Sequence, residues 1–296
     1  MSKDIDKYQV WTAIVTPMNQ DGSIDYASFE GLLKKQNEVG NAITILGSTG
    51  EALNIDLSER KEILDFAISL SLGVPLMVGV GGINLNEQSQ WIEYLNKLNA
   101  DAYLLVVPLY AKPGVYGQYG WFKHLLDLAN KPCMLYNVPG RTAKNLEIET
   151  VKMLVDHPNF WAVKEASGSE KDFAAYAAAA PGKKMMSGDD LLLPEFAKLG
   201  AEGVVSVASN VWPEATKEYA AQCINGTFKD KEIWAESIEA LFSSSNPIPA
   251  KALLKEQGKI KSSTLRLPLS IEDMGDVEIV KNADKKINEW FNQQSD

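Results

Sequence analysis

The stretch "NFWAVKEASGS" (159–169) has the pattern of a buried strand that ends in an unexpected residue. Its apolar part, residues 160–163, is continuous, which is typical of a strand covered on both faces. The cation Lys164 and the acid Glu165 follow, and the stretch ends in the turn-forming sequence Ser-Gly-Ser. A lysine at the end of a buried strand needs either a partner or a function.

Seven further apolar runs of similar length recur along the chain, and most end in Gly, Pro, Ser or Asp, which are loop signals. Between them lie helical patterns with one apolar face, as in 25–39, 58–71 and 87–99. Strand and helix thus alternate eight times at about 30 residues per unit, which predicts an α/β protein with a (β/α)8 TIM barrel. A doubly wound sheet is the alternative, but it seldom needs eight units. The eight runs are VWTAIVTP (10–17), AITILGST (42–49), PLMVGVGG (75–82), AYLLVVPL (102–109), CMLYNVPG (133–140), WAVKEASG (161–168), KKMMSGDD (183–190) and GVVSVASN (203–210).

The pattern changes after Asn210, where residues 213–296 are predicted to be helical only. A barrel with an extension accounts for the length of 296 residues. We therefore predict a barrel catalytic domain over residues 1–225 and a C-terminal helical domain over residues 226–296. No low-complexity linker separates them, so the tail is expected to pack on the barrel or on a partner subunit.

Composition narrows the possible partners. The formal charge of −10 argues against binding to nucleic acid or to an anionic membrane surface. The sequence shows no signal-peptide pattern and no apolar run of transmembrane length, so we expect a cytoplasmic protein. Its two cysteines and two histidines lack metal-ligand spacing, so no metal is expected. These four residues are Cys133, Cys223, His124 and His157.

Lys164 has two possible roles. An ordinary lysine has a pKa of about 10.4, but burial can lower the pKa to about 7–8 and leave a neutral, nucleophilic amine. Such an amine forms a Schiff base with a ketone or aldehyde. The alternative is a structural ion pair with an acid, or a side chain that extends along the apolar surface to place its amine in water. Neighbours along a strand point to opposite faces, so a direct contact with Glu165 is not expected.

The active sites of such barrels lie at the C-terminal ends of the strands, where several hydroxyl groups follow the apolar runs. Tyr136 is a candidate proton donor and acceptor, with Ser48, Thr49 and Tyr110 as a hydroxyl chain, although a core aromatic residue is an equal interpretation. Arg141 suits a carboxylate, or else a surface ion pair. The acids of "SGDD" (187–190) are predicted to serve a loop and a helix cap rather than a metal.

The motifs GSTGE, YNVPGRT, VKEASG, SGDD, NPIPAK and STLRLPL occur here in one characteristic order. In this the chain resembles the dihydrodipicolinate synthases, which belong to the pyruvate-dependent aldolase superfamily that also holds N-acetylneuraminate lyase. The resemblance runs from about residue 8 to residue 270. It implies a homotetrameric lyase that condenses pyruvate with L-aspartate-4-semialdehyde on the diaminopimelate route to lysine, without a cofactor other than the covalent imine.

The resemblance also implies roles for individual residues. Lys164 would form the imine with pyruvate, and Tyr136 would transfer protons. Ser48 and Tyr110 would complete the relay, with Tyr110 reaching into the site of a neighbouring subunit. Family members usually carry threonine at the position of Ser48, but the hydroxyl is retained. The substrate-binding residues would be Thr49, the backbone at Val205, Arg141 and Gly188.

A lysine-inhibition site is implied to be degenerate. Sensitive bacterial members use a histidine, a glutamate and a tyrosine where this chain has Leu57, Gln88 and Leu109, and only Asn84 is kept. Each lost polar partner costs roughly 1–3 kcal/mol at a buried polar site. We therefore expect weak or absent inhibition by lysine.

Two other functions remain open at this point. A sugar-acid aldolase of the N-acetylneuraminate lyase type would share the imine chemistry, although sialic-acid lyases tend to lack the arginine found at position 141. A barrel that binds a small carboxylate without turning it over is the other alternative.

Overall fold

Residues 3–294 are described by a computed structural model of the chain. Eight parallel strands close into a barrel in chain order, with each strand hydrogen-bonded to its sequence neighbours and the last to the first. The predicted (β/α)8 barrel is therefore confirmed. The strands are β1 (Val10–Ala13), β2 (Ala42–Ile45), β3 (Leu76–Val80), β4 (Ala102–Val106), β5 (Cys133–Asn137), β6 (Phe160–Glu165), β7 (Lys184–Ser187) and β8 (Gly203–Ser206).

Each strand ends two to four residues before the end of the apolar run that predicted it. The remaining residues of each run form the loops at the C-terminal mouth of the barrel. β2, for example, stops at Ile45, and the loop that follows carries Ser48 and Thr49. The difference arises because each predicted run extends to its loop signal of Gly, Pro, Ser or Asp, and the structure places these last residues in the mouth loops.

Twelve α-helices are described within residues 3–294, together with four short 3-10 turns. The second helix begins at Leu57, one residue before the predicted range 58–71, and follows Asp56, whose N–H donates to the Glu59 carboxylate at 3.4 Å. The helices are α1 (Tyr26–Val39), α2 (Leu57–Ser69), α3 (Leu85–Leu95), α4 (Val115–Leu128), α5 (Pro139–Thr142), α6 (Ile148–Leu154), α7 (Glu170–Ala179), α8 (Leu193–Lys198), α9 (Pro213–Ile224), α10 (Lys231–Leu241), α11 (Ile248–Glu256) and α12 (Glu278–Gln293).

The C-terminal region packs on the barrel through aromatic contacts. Trp234 of α10 stacks on Tyr219 of α9 with ring centres 4.0 Å apart and meets Trp290 of α12 edge to face at 5.2 Å. Trp212 donates its indole N–H to Asp284 of α12 at 2.8 Å. The domain division at residue 225 stays a prediction, because these contacts say only that the two parts are packed together.

The four helical segments of the tail are observed as α9 to α12, and residues 257–277 between the last two contain only a short turn at Ile271–Met274. In this segment the guanidinium of Arg266 donates to Gly22 and to the carboxylate of Glu59. Through Arg266, this segment therefore connects the C-terminal region to the barrel. None of the helices within residues 3–294 is long and apolar enough to cross a membrane.

Candidate active site

Lys164 lies near the C-terminal end of β6, between Tyr136 of β5 and Met186 of β7 in the strand register. Its side chain points into the barrel, and the residue is only 5% exposed. Its Nζ atom lies 4.2 Å from the centre of the Tyr136 ring. Lys164 therefore lies against the ring of Tyr136, which the sequence analysis proposed as the proton donor and acceptor beside it.

Burial lowers the pKa of Lys164 from its ordinary value of 10.5 to about 7. The carboxylate of Asp190 acts in the opposite direction, and the nearby charge of Arg141 lowers the pKa further. A large part of the amine is therefore neutral at physiological pH, as a nucleophile requires. No ion pair joins Lys164 to an acid among the residues that the structure describes, so the structural alternative for this lysine lacks support.

Glu165 faces the opposite side of the strand, as alternation along β6 predicts. Its carboxylate accepts hydrogen bonds from the Asn137 side chain at 2.8 Å and from the Ser167 N–H at 2.6 Å. It is fully buried, and burial raises its pKa. Glu165 therefore ties the ends of β5 and β6 together and makes no contact with the amine of Lys164.

A cavity of about 320 Å³ opens at the mouth of the barrel, here called the imine cavity. Six of the eight residues predicted for catalysis or substrate binding line this cavity. The structure thus brings together side chains from four different strand ends. The six residues are Ser48, Thr49, Tyr136, Arg141, Lys164 and Gly188.

Tyr136 presents a protonated phenol to the imine cavity. Burial raises the pKa of the phenol to about 12, while Arg141 and the Ser48 hydroxyl beside it act in the opposite direction. A neutral phenol can donate a proton, and the neighbouring positive charge and hydroxyl make its return to a proton acceptor easier. The geometry places a phenol that can exchange protons beside the amine of Lys164.

Gly188 follows β7 and allows close approach to Lys164. A Cβ atom on this glycine would lie 2.8 Å from Cε of Lys164 and 2.7 Å from Cβ of Ala166. Both distances are shorter than real carbon–carbon contacts. Only glycine therefore leaves room for the lysine side chain at this position.

The two acids after Gly188 serve the loop, as the sequence suggested. Asp189 accepts the N–H groups of Leu191 and Leu192, and Asp190 accepts those of Val207 and Ala208. Burial raises the pKa of both carboxyl groups. Within residues 3–294, no three His, Cys, Asp or Glu side chains are grouped so that they could hold a metal ion.

Sequence reasoning missed Asn246, which lies in the C-terminal region just before α11. Its side-chain amide donates to Thr49 Oγ1 at 2.9 Å, and its carbonyl accepts from Arg141 at 3.1 Å. Ile238, Glu239 and Phe242 of the same region also line the imine cavity. The motif NPIPAK contains this asparagine, but a search confined to strand ends could not assign it to the site.

Two predicted residues lie away from the imine cavity. Val205 is in the middle of β8, paired with Trp11, and does not line it. Tyr110 is 88% exposed, has a left-handed φ of 63°, and lines a second cavity of about 390 Å³. This second cavity shares Ser48, Tyr136 and Arg141 with the first. Within one chain, Tyr110 therefore reaches only the neighbouring space.

The four residues of the predicted regulatory site are divided. Gln88 and Leu109 line the second cavity, whereas Leu57 and Asn84 do not. Leu57 is 49% exposed at the start of α2, and the Asn84 side chain caps α3 by accepting the N–H groups of Asn86 and Glu87. The loss of a lysine site stays a prediction.

Comparison with known proteins agrees with this geometry. The profile of the dihydrodipicolinate synthetase family matches residues 6–284. The 4-hydroxy-tetrahydrodipicolinate synthase of Francisella philomiragia is 50% identical over 293 residues, which is 98% of this chain and 99% of that protein. The enzyme of the same name from Wolbachia pipientis wMel is 44% identical over 282 residues, 95% and 96% of the two chains.

Solved structures give the same result. The chloride-inhibited dihydrodipicolinate synthase from Acinetobacter baumannii, complexed with pyruvate, matches with a TM-score of 0.89 at 34% identity. The match covers 95% of this chain and 99% of that one. On the family profile and on identity over nearly the whole length, this chain belongs to the dihydrodipicolinate synthetase family.

Proposed function

We propose that this protein condenses pyruvate with L-aspartate-4-semialdehyde, the reaction of a 4-hydroxy-tetrahydrodipicolinate synthase, in the diaminopimelate route to lysine. The observation that carries the proposal is the buried amine of Lys164, 4.2 Å from the Tyr136 ring in a cavity that also holds Arg141. An amine for the ketone, a phenol for the protons and a guanidinium for a carboxylate are the three groups that this reaction needs.

The first half of the proposed reaction forms the imine. The neutral amine of Lys164 attacks the ketone carbon of pyruvate, and the carbonyl oxygen leaves as water after protonation through Tyr136 and Ser48. Thr49, fixed by Asn246, holds the pyruvate carboxylate. Val205 has less support in this role, because it does not line the cavity.

The second half forms the carbon–carbon bond. The imine withdraws electrons, so the methyl carbon of pyruvate loses a proton to Tyr136 and becomes an enamine nucleophile that attacks the aldehyde, whose oxygen takes up that proton. The amino group of the semialdehyde then attacks the imine carbon, which closes the ring and releases the amine of Lys164. Arg141, whose guanidinium is held by the Asn246 carbonyl, binds the carboxylate of the semialdehyde. These steps need no cofactor beyond the covalent imine, and we expect the protein to act in the cytoplasm.

We also propose a homo-oligomer, expected to be a tetramer, and the exposure of Tyr110 supports it. Its phenol is exposed and lines the second cavity rather than the imine cavity, so the relay role proposed for it would be carried out in the site of a neighbouring subunit. The neighbouring exposed apolar side chains Leu53 and Leu57 are consistent with such a contact. Sedimentation of the full chain tests this, and a fully active monomer would contradict it.

Borohydride trapping tests the proposed chemistry. The protein is incubated with pyruvate and borohydride, and the modified residue is found by mass spectrometry of peptides. We expect one reduced adduct, at Lys164, that is absent in Lys164→Met and retained in Lys184→Met, a matched change in the adjacent strand β7. An adduct elsewhere, or none, refutes the proposal. A coupled assay with aspartate semialdehyde then separates a synthase from a sugar-acid lyase.

A further inference from the structure

The loop between β2 and α2 that carries Ser48 and Thr49, here called the substrate loop (46–51), has an unfavourable backbone. Leu46 and Glu51, at its two ends, both have a left-handed φ of 56° although neither is glycine. Residues with a Cβ atom hold this conformation only where surrounding contacts impose it. The contacts that impose it at Glu51 come from the C-terminal region.

Glu51 forms a fully buried ion pair with Lys251 of α11. The Nζ atom of Lys251 lies 2.5 Å from Oε1 of Glu51, and both side chains are 0% exposed. Lys251 also donates to the Thr264 carbonyl at 2.8 Å, and the second Glu51 oxygen accepts the Arg266 N–H at 3.2 Å. The carboxylate is therefore bound in a fixed direction from two sides.

The same region holds the loop at a second point. Asn246, five residues before Lys251, donates to the Thr49 hydroxyl and accepts from Arg141. The Glu51–Lys251 and Thr49–Asn246 contacts thus hold the loop on either side of Gly50. The Gly50 carbonyl accepts a further hydrogen bond from Thr16 at 2.8 Å. A small rotation of the loop about Glu51 would move both Ser48 and Thr49.

Stability alone does not account for these charges. Removing two charges from water is costly, and apolar residues of similar volume are often as stabilising as a buried ion pair. What an apolar pair lacks is direction, since it does not fix the orientation of the backbone that carries it. The choice of charged residues here is explained if orientation of the loop is what they provide.

We propose that the buried pair of Glu51 and Lys251 positions the substrate loop for pyruvate binding and imine formation. Neither residue touches the imine cavity, so both are positioning residues that act through Thr49 and Ser48. The inference rests on the proposed function, because it assigns the pyruvate contact to Thr49. It makes the C-terminal region a part of the active-site framework as well as a covering of the barrel.

The test compares the double variant Glu51→Leu/Lys251→Met with the wild type and with Lys261→Met. Lys261 also ties the C-terminal region to the barrel, through Asp25 at 3.3 Å, but it does not contact the substrate loop. The measurements are the melting temperature, the pyruvate concentration for half-maximal borohydride trapping at Lys164, and kcat and KM for each substrate. If the double variant does not fold, Glu51→Gln/Lys251→Met, which removes both charges and keeps the shape of the Glu51 side chain, is measured in its place with the same expected loss.

We expect the double variant to melt close to the wild type. Its kcat/KM for pyruvate should fall about 10- to 100-fold, because a displacement near 1 Å has effects of that size. The KM for the semialdehyde should change less, since Arg141 keeps its contact with Asn246, and Lys261→Met should behave as the wild type. Wild-type pyruvate constants in a folded variant, or an equal loss in Lys261→Met, would refute the positioning role. Absence of any adduct in the wild type would refute the proposed function itself.

Discussion

The pH dependence of imine formation should report the burial of Lys164 directly. With a pKa of about 7, half of the amine is neutral at pH 7, compared with roughly 1 in 3,000 for a lysine at 10.5. Because the folded pKa is depressed, the protonated and unreactive form prevails below pH 7. The neutral fraction therefore rises about tenfold between pH 6 and pH 8 and then levels off.

The assay is the rate of borohydride trapping at a pyruvate concentration below saturation, which reports the free enzyme. An ordinary lysine would behave differently, with a rise of about 100-fold over the same two pH units and no plateau before pH 10. The two cases are therefore separated both by the slope and by the plateau. A midpoint above pH 9 would refute the argument that the apolar surroundings of Lys164 lower its pKa.

Two variants test the causes of the shift in opposite directions. Asp190 raises the pKa of Lys164 and Arg141 lowers it, so Asp190→Asn should move the midpoint to lower pH and Arg141→Leu to higher pH. Glu239→Gln is the control, because this carboxylate lies at the cavity but does not contribute to the shift. Movement of the first two in the same direction, or an equal shift in the control, would contradict the assignment.

Four further predictions follow from individual residues. Tyr136→Phe should lower kcat by about 10²- to 10⁴-fold, which is the range for a lost proton-transfer group. Tyr116→Phe, a control at an exposed tyrosine, should leave kcat unchanged, and equal effects of the two variants would contradict the role of Tyr136. Lys164→Met should be inactive but more stable than the wild type at pH 7 by up to about 4 kcal/mol, because folding forces the wild-type lysine to give up a proton that it holds in the unfolded chain. This gain should shrink as the pH rises from 7 towards 10.5, where the unfolded lysine also loses its proton. Denaturant unfolding at pH 7 and pH 9 measures it, and a variant less stable than the wild type would contradict it. Gly188→Ala should abolish borohydride trapping, since its Cβ would lie 2.8 Å from Lys164 Cε. The control Gly31→Ala in α1, whose Cβ would meet no atom within 4 Å, should keep activity and raise the free energy of unfolding by about 0.5–1 kcal/mol. Lysine at millimolar concentration should leave the rate of the coupled assay nearly unchanged, and inhibition at micromolar lysine would show that Leu57, Gln88 and Leu109 still form a site.

Much of the barrel was predictable because its strands are buried on both faces. The run at 160–163 shows this, since no polar residue interrupts it until Lys164. The direction of Glu165 followed from alternation along the same strand. The ends of strands were less predictable, because some mouth loops, such as residues 14–17 after β1, are as buried as the strands they follow.

The candidate site was predictable only where it is built from strand ends. Tyr136 and Lys164 are register partners on adjacent strands, so the topology brings them together once the barrel is assumed. Asn246 lies 197 residues from the threonine it binds, and no periodicity in the sequence indicates that contact. Tyr110 was grouped with the site by the sequence, yet in one chain it faces a different cavity.

The sequence by itself determined the order of strands and helices and the presence of a lysine near the end of β6, because strands buried on both faces consist of continuous runs of apolar residues. Tertiary structure decided what that lysine is chemically. The pKa of Lys164 depends on the atoms that exclude water from its amine and on the charges of Asp190 and Arg141, which come from other strand ends. The orientation of Thr49 likewise depends on Asn246, and that of Glu51 on Lys251, because directed contacts between distant segments exist only after the chain has folded.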